Sequence, residues 1–342
     1  MLSSVPQSLT LSSAEAEAEA AAPVSDATAA VPSSRPRTAQ VLLAFATLYV
    51  VWGSTYLAIR IAVASWPPLL MASVRFATAG TILYVVQRAR GVPAPDRRGW
   101  GAAAIVGALL LLMGNGAVSW AEQWVPSGIT ALIVASVPLW MTLLPWVARR
   151  GPAPRPLVLL GVGVGLTGVG VLLGIGASRA ARAPDGASLW GPLALVGGCL
   201  TWSVGSLWSR RLPLPRAPFM ATAAEMLAAA PMLFAASLAR GELGTASAAA
   251  MLTPRALGAL AYLVLFGSIA GFGSYVWLLK NVTPARVSTY AFANPLIAVF
   301  LGWALLAEPL APRTYAATLI IVISVAAVVW GTAAQAAAKT KG

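Results

Sequence analysis

Two ionisable residues stand inside stretches otherwise apolar enough to sit in lipid: Arg75, eight residues past Pro67, and Glu225. A charged group at such depth costs about 2.5–3.5 kcal/mol or more, so it reads by default as a functional site. The two positions are related. Trp52, Arg60, Pro68 and Arg75 recur 150 residues later as Trp202, Arg210, Pro218 and Glu225, with the charge inverted at the last position. At 1.5 Å per residue, Arg75 lies about 12 Å below one membrane surface and Glu225 a similar distance above the other. In a ~30 Å core the two differ in depth by only about 6 Å. The spacing therefore predicts a mutual pair where two copies of one unit meet. Three chemistries fit: a buried salt bridge pinning the halves, an arginine that holds an anionic group, and a glutamate that takes a coupling proton. The chain has no histidine, and Glu225 is the one carboxylate that the predicted spans place deep, so it is the proton candidate by elimination.

Other polar residues fall at helical spacing. Asn115, Ser119 and Glu122 share one face, as do Arg286, Tyr290 and Asn294; Trp52, Tyr56 and Arg60; and Trp202, Ser206 and Arg210. Tyr275 joins this set from a later span. For any single residue, an interhelical hydrogen bond of about 0.6 kcal/mol is sufficient explanation. Four such faces together predict a wettable lumen. Arg60 and Arg210 are expected to reach for headgroups, and Trp120 and Trp140 to flank an aromatic or amphipathic substrate. The predicted substrate or coupling set is thus Arg75, Glu225, Asn115, Ser119, Tyr56, Trp52, Trp202, Tyr290, Asn294 and Tyr275.

Composition excludes several function classes. Of 342 residues 58% are hydrophobic and 10% charged, against about 25% charged in a soluble domain; mean hydropathy is +0.79. The net charge of +13 sits in short loops between apolar runs, which is the positive-inside pattern and not a nucleic-acid surface. The single cysteine, Cys199, and the lack of histidine leave no disulfide, no metal-ligand cluster and no His-based catalysis. No metal, cofactor or nucleic acid is expected. GVGVGLTGVG at Gly161 to Gly170 has no strand before it and no acidic residue about 20 later. Gly161/Gly165 and Gly170/Gly174 are spacings for close helix contact instead, within the chain or with a second subunit.

The elements that position these residues are ten predicted spans: roughly 39–59, 67–87, 100–121, 126–147, 156–176, 188–209, 217–239, 256–279, 284–306 and 312–332. Pro138, Pro145, Pro231 and Pro295 fall inside spans and predict kinks. Trp66, Trp100, Trp124 and Trp190 fall at span ends, as interface anchors do. Residues 1–37 read as a disordered Ala/Ser/Glu-rich tail, 38–178 as one five-span copy, 187–333 as the second and 334–342 as a short tail. With the N-terminus inside, 16 Lys and Arg fall on the cytoplasmic side and 6 outside, which predicts both termini in the cytoplasm. Five spans per copy is odd, so the second copy crosses in the opposite sense. EQWVPSG around Pro126 and KNVTPAR around Pro284 extend the match. Inverted repeats of this kind typify secondary transporters, with the site near the midplane where the repeats meet.

WGSTYLAIR, the Pro-Pro and Arg75-Phe76 pairs, GNGAVSWAEQWVPSG and NVTPARVSTYAFANPLIAVFLGWALLAEPL resemble the EamA group of the drug/metabolite transporter superfamily, most of all its YedA-like inner-membrane members. The resemblance spans about residues 40–332. It implies an all-α polytopic membrane protein of ten transmembrane helices, arranged as two inverted five-helix EamA repeats, that moves metabolites, often outward. The resulting expectation is an exporter of small organic metabolites, such as amino acids or related amphipathic compounds, across the cytoplasmic (inner) membrane by alternating access. Its partners are the metabolite, the lipid bilayer and, if helix contacts extend that far, a second copy. The alternative is a membrane-embedded enzyme acting on a lipid or lipid-linked substrate. That chemistry calls for clustered carboxylates, a nucleophile with its base, or a metal site. Of the ten acids, Glu15, Glu17, Glu19 and Asp26 lie in the tail and the other six are scattered along the chain, so the chain is not expected to be an enzyme.

Overall fold

The computed structural model describes residues 38–149, 153–172, 189–282, 287, 290–308 and 311–339. The predicted tail 1–37, Arg286, Gly174, the junction between the copies at 178–187 and the final residues 340–342 lie outside the described residues. Within them every regular element is a helix; the longer ones are α1 (Thr38–Val63), α2 (Pro68–Ala89), α3 (Arg97–Ala121), α4 (Ser127–Val147), α5 (Pro156–Leu172), α6 (Trp190–Ser209), α7 (Pro218–Ala239), α8 (254–281), α9 (Tyr290–Leu306) and α10 (Pro312–Lys339), and two four-residue helices, Glu242–Thr245 and Ala248–Met251, lie between α7 and α8. By length and apolarity, α1, α2, α3, α4, α7 and α8 are long enough to cross a membrane. Shorter apolar stretches occupy Pro156–Val171, Ala293–Leu306 and Thr314–Val328. Helix α10 continues to Lys339, through the start of the predicted C-terminal tail.

Local chemistry sets the boundaries. Proline stands at the first turn of α2, α7 and α8, where its missing N–H costs nothing. Asp96 caps α3 by accepting from the Gly99 N–H at 2.6 Å. Gly91 and Gly241, with φ of +80° and +70°, turn the chain out of α2 and α7; the left-handed conformation favours glycine there. Of the predicted kinks, one coincides with a break: α4 is interrupted at Ala135 and Ser136, just ahead of Pro138. Pro145, Pro231 and Pro295 lie inside continuous helices.

Two stretches depart from α-helix in the same way. Ala108–Asn115 in α3 and Leu263–Ala270 in α8 are π-helical. Each ends with an N–H bonded five residues back, Gly116 to Leu111 and Gly271 to Phe266. Segments of this type are rare and gather at functional sites.

Packing pairs the two copies. α2 packs along α7, and α5 along α10. The first helix of each copy then leans on the third and fourth of the other, α1 against α8 and α9, α6 against α3 and α4. Glycines permit the closest approaches: a Cβ at Gly53 would meet Ile297 of α9 at 2.8 Å, and one at Gly128 would meet Val299 at 3.1 Å. The Gly161/Gly165 spacing works within the chain. Both residues face α10, where Ser324 donates to the Gly161 carbonyl at 2.5 Å. Large apolar side chains such as Leu43, Leu160, Phe300 and Trp330 are exposed on the outside. An apolar exterior this extensive belongs in lipid.

Candidate functional site

Both copies contribute to one cavity of about 110 Å³, walled by α1, α2, α3, α4, α6, α8 and α9. Its walls include seven of the predicted residues: Trp52, Tyr56, Arg75, Asn115, Trp202, Tyr290 and Asn294. Arg75 is 2% exposed. Its Nε donates to Ser268 Oγ at 2.9 Å and its Nη1 to Asn115 Oδ1 at 3.5 Å, while its guanidinium carbon lies 4.9 Å from the Phe76 ring centroid. Both hydrogen-bond acceptors sit in the π-helical segments, one from each copy. Among the described residues lining the cavity, Arg75 carries the only formal charge.

The Trp52 indole anchors an aromatic cluster at one side. Its centroid lies 5.1 Å from Tyr290, 5.3 Å from Tyr275 and 5.5 Å from Phe272. Tyr275 supports this cluster from behind and is not part of the cavity wall. Asn294 lines the cavity, and its buried Oδ1 has no hydrogen-bond partner among the described residues.

The structure corrects four sequence expectations. Arg75 and Glu225 do not pair: Arg75 turns to Ser268 and Asn115, and Glu225 lies off the cavity on α7, where α3 crosses closely enough that a Cβ on Gly107 would meet the Glu225 carbonyl at 2.6 Å. Similar depth does not make two residues neighbours, because each helix also has a rotation about its axis. Ser119 is buried, with its hydroxyl unpartnered among the described residues, but stands off the cavity wall. Trp120 and Trp140 are also elsewhere. Arg240 lies 5.3 Å over the Trp120 ring, and Trp140 donates to Ser136 Oγ at 3.1 Å. Arg60 does not reach for headgroups, since it donates to the Glu122 carbonyl at the end of α3, where orphan helix carbonyls favour a cation.

Sequence reasoning missed three features. Glu122 is fully buried, with neither carboxylate oxygen hydrogen-bonded among the described residues. Glu242 accepts from the N–H groups of Leu69 and Leu70 at 3.1 and 3.0 Å and from Ser237 Oγ at 2.8 Å. Glu308 accepts from Ser127 N–H at 2.8 Å and Gly128 N–H at 3.2 Å. The two glutamates thus cap α2 and α4 from the other copy. A signal for this was present: both helices start behind proline, Pro67 and Pro126, which offers no side-chain acceptor, so the first N–H groups need a partner from elsewhere.

The EamA-like transporter family matches this chain twice, at residues 39–174 and 189–330. The chain is 42% identical over 287 residues to the uncharacterized inner membrane transporter YedA of Escherichia coli K12, covering 83% of this chain and 89% of that protein. A probable amino-acid metabolite efflux pump of Salmonella typhimurium is 22% identical over 299 residues, covering 86% and 96% respectively. A solved crystal structure at 22% identity superposes with a TM-score of 0.58, covering 86% of this chain and 99% of its own, a likeness of fold. With the doubled match, the strong relative and an all-helical apolar body, the chain is a multi-pass membrane protein that belongs to the EamA-like transporter family.

Proposed function

We propose that this protein exports small organic metabolites, amino acids or related amphipathic compounds, across the cytoplasmic membrane by alternating access. In this reading the helices form ten spans in two five-helix copies of opposite sense, with both termini in the cytoplasm. The observation that carries it is a cavity lined by both copies, with aromatic walls and a buried cation, Arg75. Midplane sites at repeat interfaces are how such transporters expose one site to each side in turn. The name of the Salmonella relative favours metabolite efflux as the direction. The cavity's size fits a small body: about 110 Å³ compares with the ~150 Å³ engineered cavity that holds benzene. The reading is of a transporter and not of an enzyme.

The test compares metabolites in the medium of cells expressing the wild-type chain and Trp52→Ala at matched membrane abundance. Enrichment of a defined metabolite class by wild type, lost in the variant, supports export through this cavity. If wild type leaves the medium unchanged, the export reading fails.

A further inference from the structure

Within that transport reading, the arrangement around Arg75 says which chemical end of a metabolite the cavity takes. A guanidinium has five N–H donors in a planar fork. Here Nε is used by Ser268 and Nη1 reaches Asn115 at the long distance of 3.5 Å. No described residue accepts from Nη2, which points toward Gly267, itself part of the cavity wall. A Cβ on Gly267 would lie 3.2 Å from Nη2 and 3.4 Å from Thr55 Oγ1. The missing side chain therefore leaves open the space in front of the free edge of the fork. Thr55 Oγ1 is committed to the Val51 carbonyl at 2.7 Å.

The surroundings favour an anion in that space. Arg75 makes no ion pair with a carboxylate among the described residues. Glu122 acts on it only through space, without a hydrogen bond, while Arg60 is held at the Glu122 carbonyl. A buried cation without a bonded counter-ion is an incomplete site, and a carboxylate matches a planar fork in both geometry and charge. The positioning is deliberate in the backbone as well. Ser268 and Asn115 both come from π-helical stretches, related 155 residues apart in the two copies. The extra residue in each π turn shifts their angular position relative to regular α-helix, and such segments gather at functional sites.

We propose that Arg75, aimed by Ser268 and Asn115 and left accessible by Gly267, is a carboxylate subsite, and that the transported compound is a small carboxylate with an aromatic or branched apolar body lying against Trp52, Tyr56 and Trp202. Ser268 and Gly267 are positioning residues: one holds the fork, the other keeps its face clear.

Binding of three probes to the purified protein tests this, read by the intrinsic fluorescence of the cavity tryptophans and by calorimetry. Phenylacetate carries the carboxylate, phenylacetamide is its neutral near-isostere, and phenethylammonium inverts the charge. Wild type is expected to bind phenylacetate at least about tenfold more tightly than phenylacetamide, the scale of a charge-assisted hydrogen bond. Phenethylammonium is expected to bind more weakly still. In Gly267→Ala the ratio of acid to amide collapses toward one. Ser268→Ala narrows it and Ser268→Thr keeps it. If Gly267→Ala fails to fold, Arg75→Lys decides, because it keeps the charge and loses the fork, and the ratio must fall. Equal binding of acid and amide by wild type overturns the proposal, as does an unchanged ratio in Gly267→Ala or binding of none of the probes. The medium comparison above judges transport independently, so loss of the subsite and loss of the transport reading are separable.

Discussion

Glu242 is the strongest test of how the two copies hold each other. Its carboxylate, on a residue only 8% exposed, accepts three hydrogen bonds: two from the start of α2 and one from Ser237. Pro67 offers no side-chain cap of its own. Glu242→Ala leaves two helix N–H groups and a buried hydroxyl without their acceptor. Each hydrogen bond to a charged group contributes about 1.5–3 kcal/mol, and the helix dipole adds about 0.3–1. Because relaxation and water recover part of this, the expected loss is about 3 kcal/mol, in the range of breaking a buried charged contact. For a large domain that corresponds to a fall in melting temperature of about 6–12 °C. The assay is thermal unfolding of the detergent-solubilised protein, followed by fluorescence-detected size exclusion. Glu242→Gln keeps one acceptor oxygen and should recover about half of the shift. Glu225→Ala is the control: it removes a carboxylate for which no hydrogen bond is seen among the described residues, and it should move the midpoint by no more than ~2 °C. A Glu242→Ala protein melting within ~2 °C of wild type would refute the capping argument.

Glu308→Ala removes the corresponding cap on α4, but Glu308 is only half-buried and bonds two N–H groups. Its expected cost is smaller, about 1–2 kcal/mol, and a loss exceeding that of Glu242→Ala in the same melt would count against the ranking. Gly165→Leu drives a side chain into Ser324 and Leu139 where α5 meets α10; overpacking of this kind costs about 1–3 kcal/mol or more, so membrane abundance should fall, and normal abundance would mean that the contact is loose. Glu225→Gln should leave metabolite export within about twofold of wild type (about 0.4 kcal/mol at most), because Glu225 stands off the cavity. Abolished export at matched abundance would restore it as a coupling residue.

The sequence alone determined a great deal of the architecture. Runs of apolar residues about as long as the hydrocarbon core is thick can satisfy their backbone in lipid only as helices, so the predicted spans fall close to the observed helices from α1 to α10. The 150-residue repeat that relates Trp52 to Trp202 and Pro68 to Pro218 likewise marked the two copies, and repeat and helical spacing together pointed to seven of the residues that line the cavity. What periodicity carries is depth along a helix and face around it, both local properties. Which helix stands opposite is decided by packing between residues far apart in the chain, and that is where the reading departed from the structure. Arg75 and Glu225 share a depth yet face different neighbours, and the partner of Arg75 is Ser268, 193 residues away on a π-helical turn. No periodic pattern announces a π turn, because the one extra residue leaves apolar composition unchanged while rotating everything beyond it. The caps from Glu242 and Glu308 are legible only as unmet needs of α2 and α4. Their providers come from 173 and 181 residues further on, a distance across which only the folded bundle decides who meets whom.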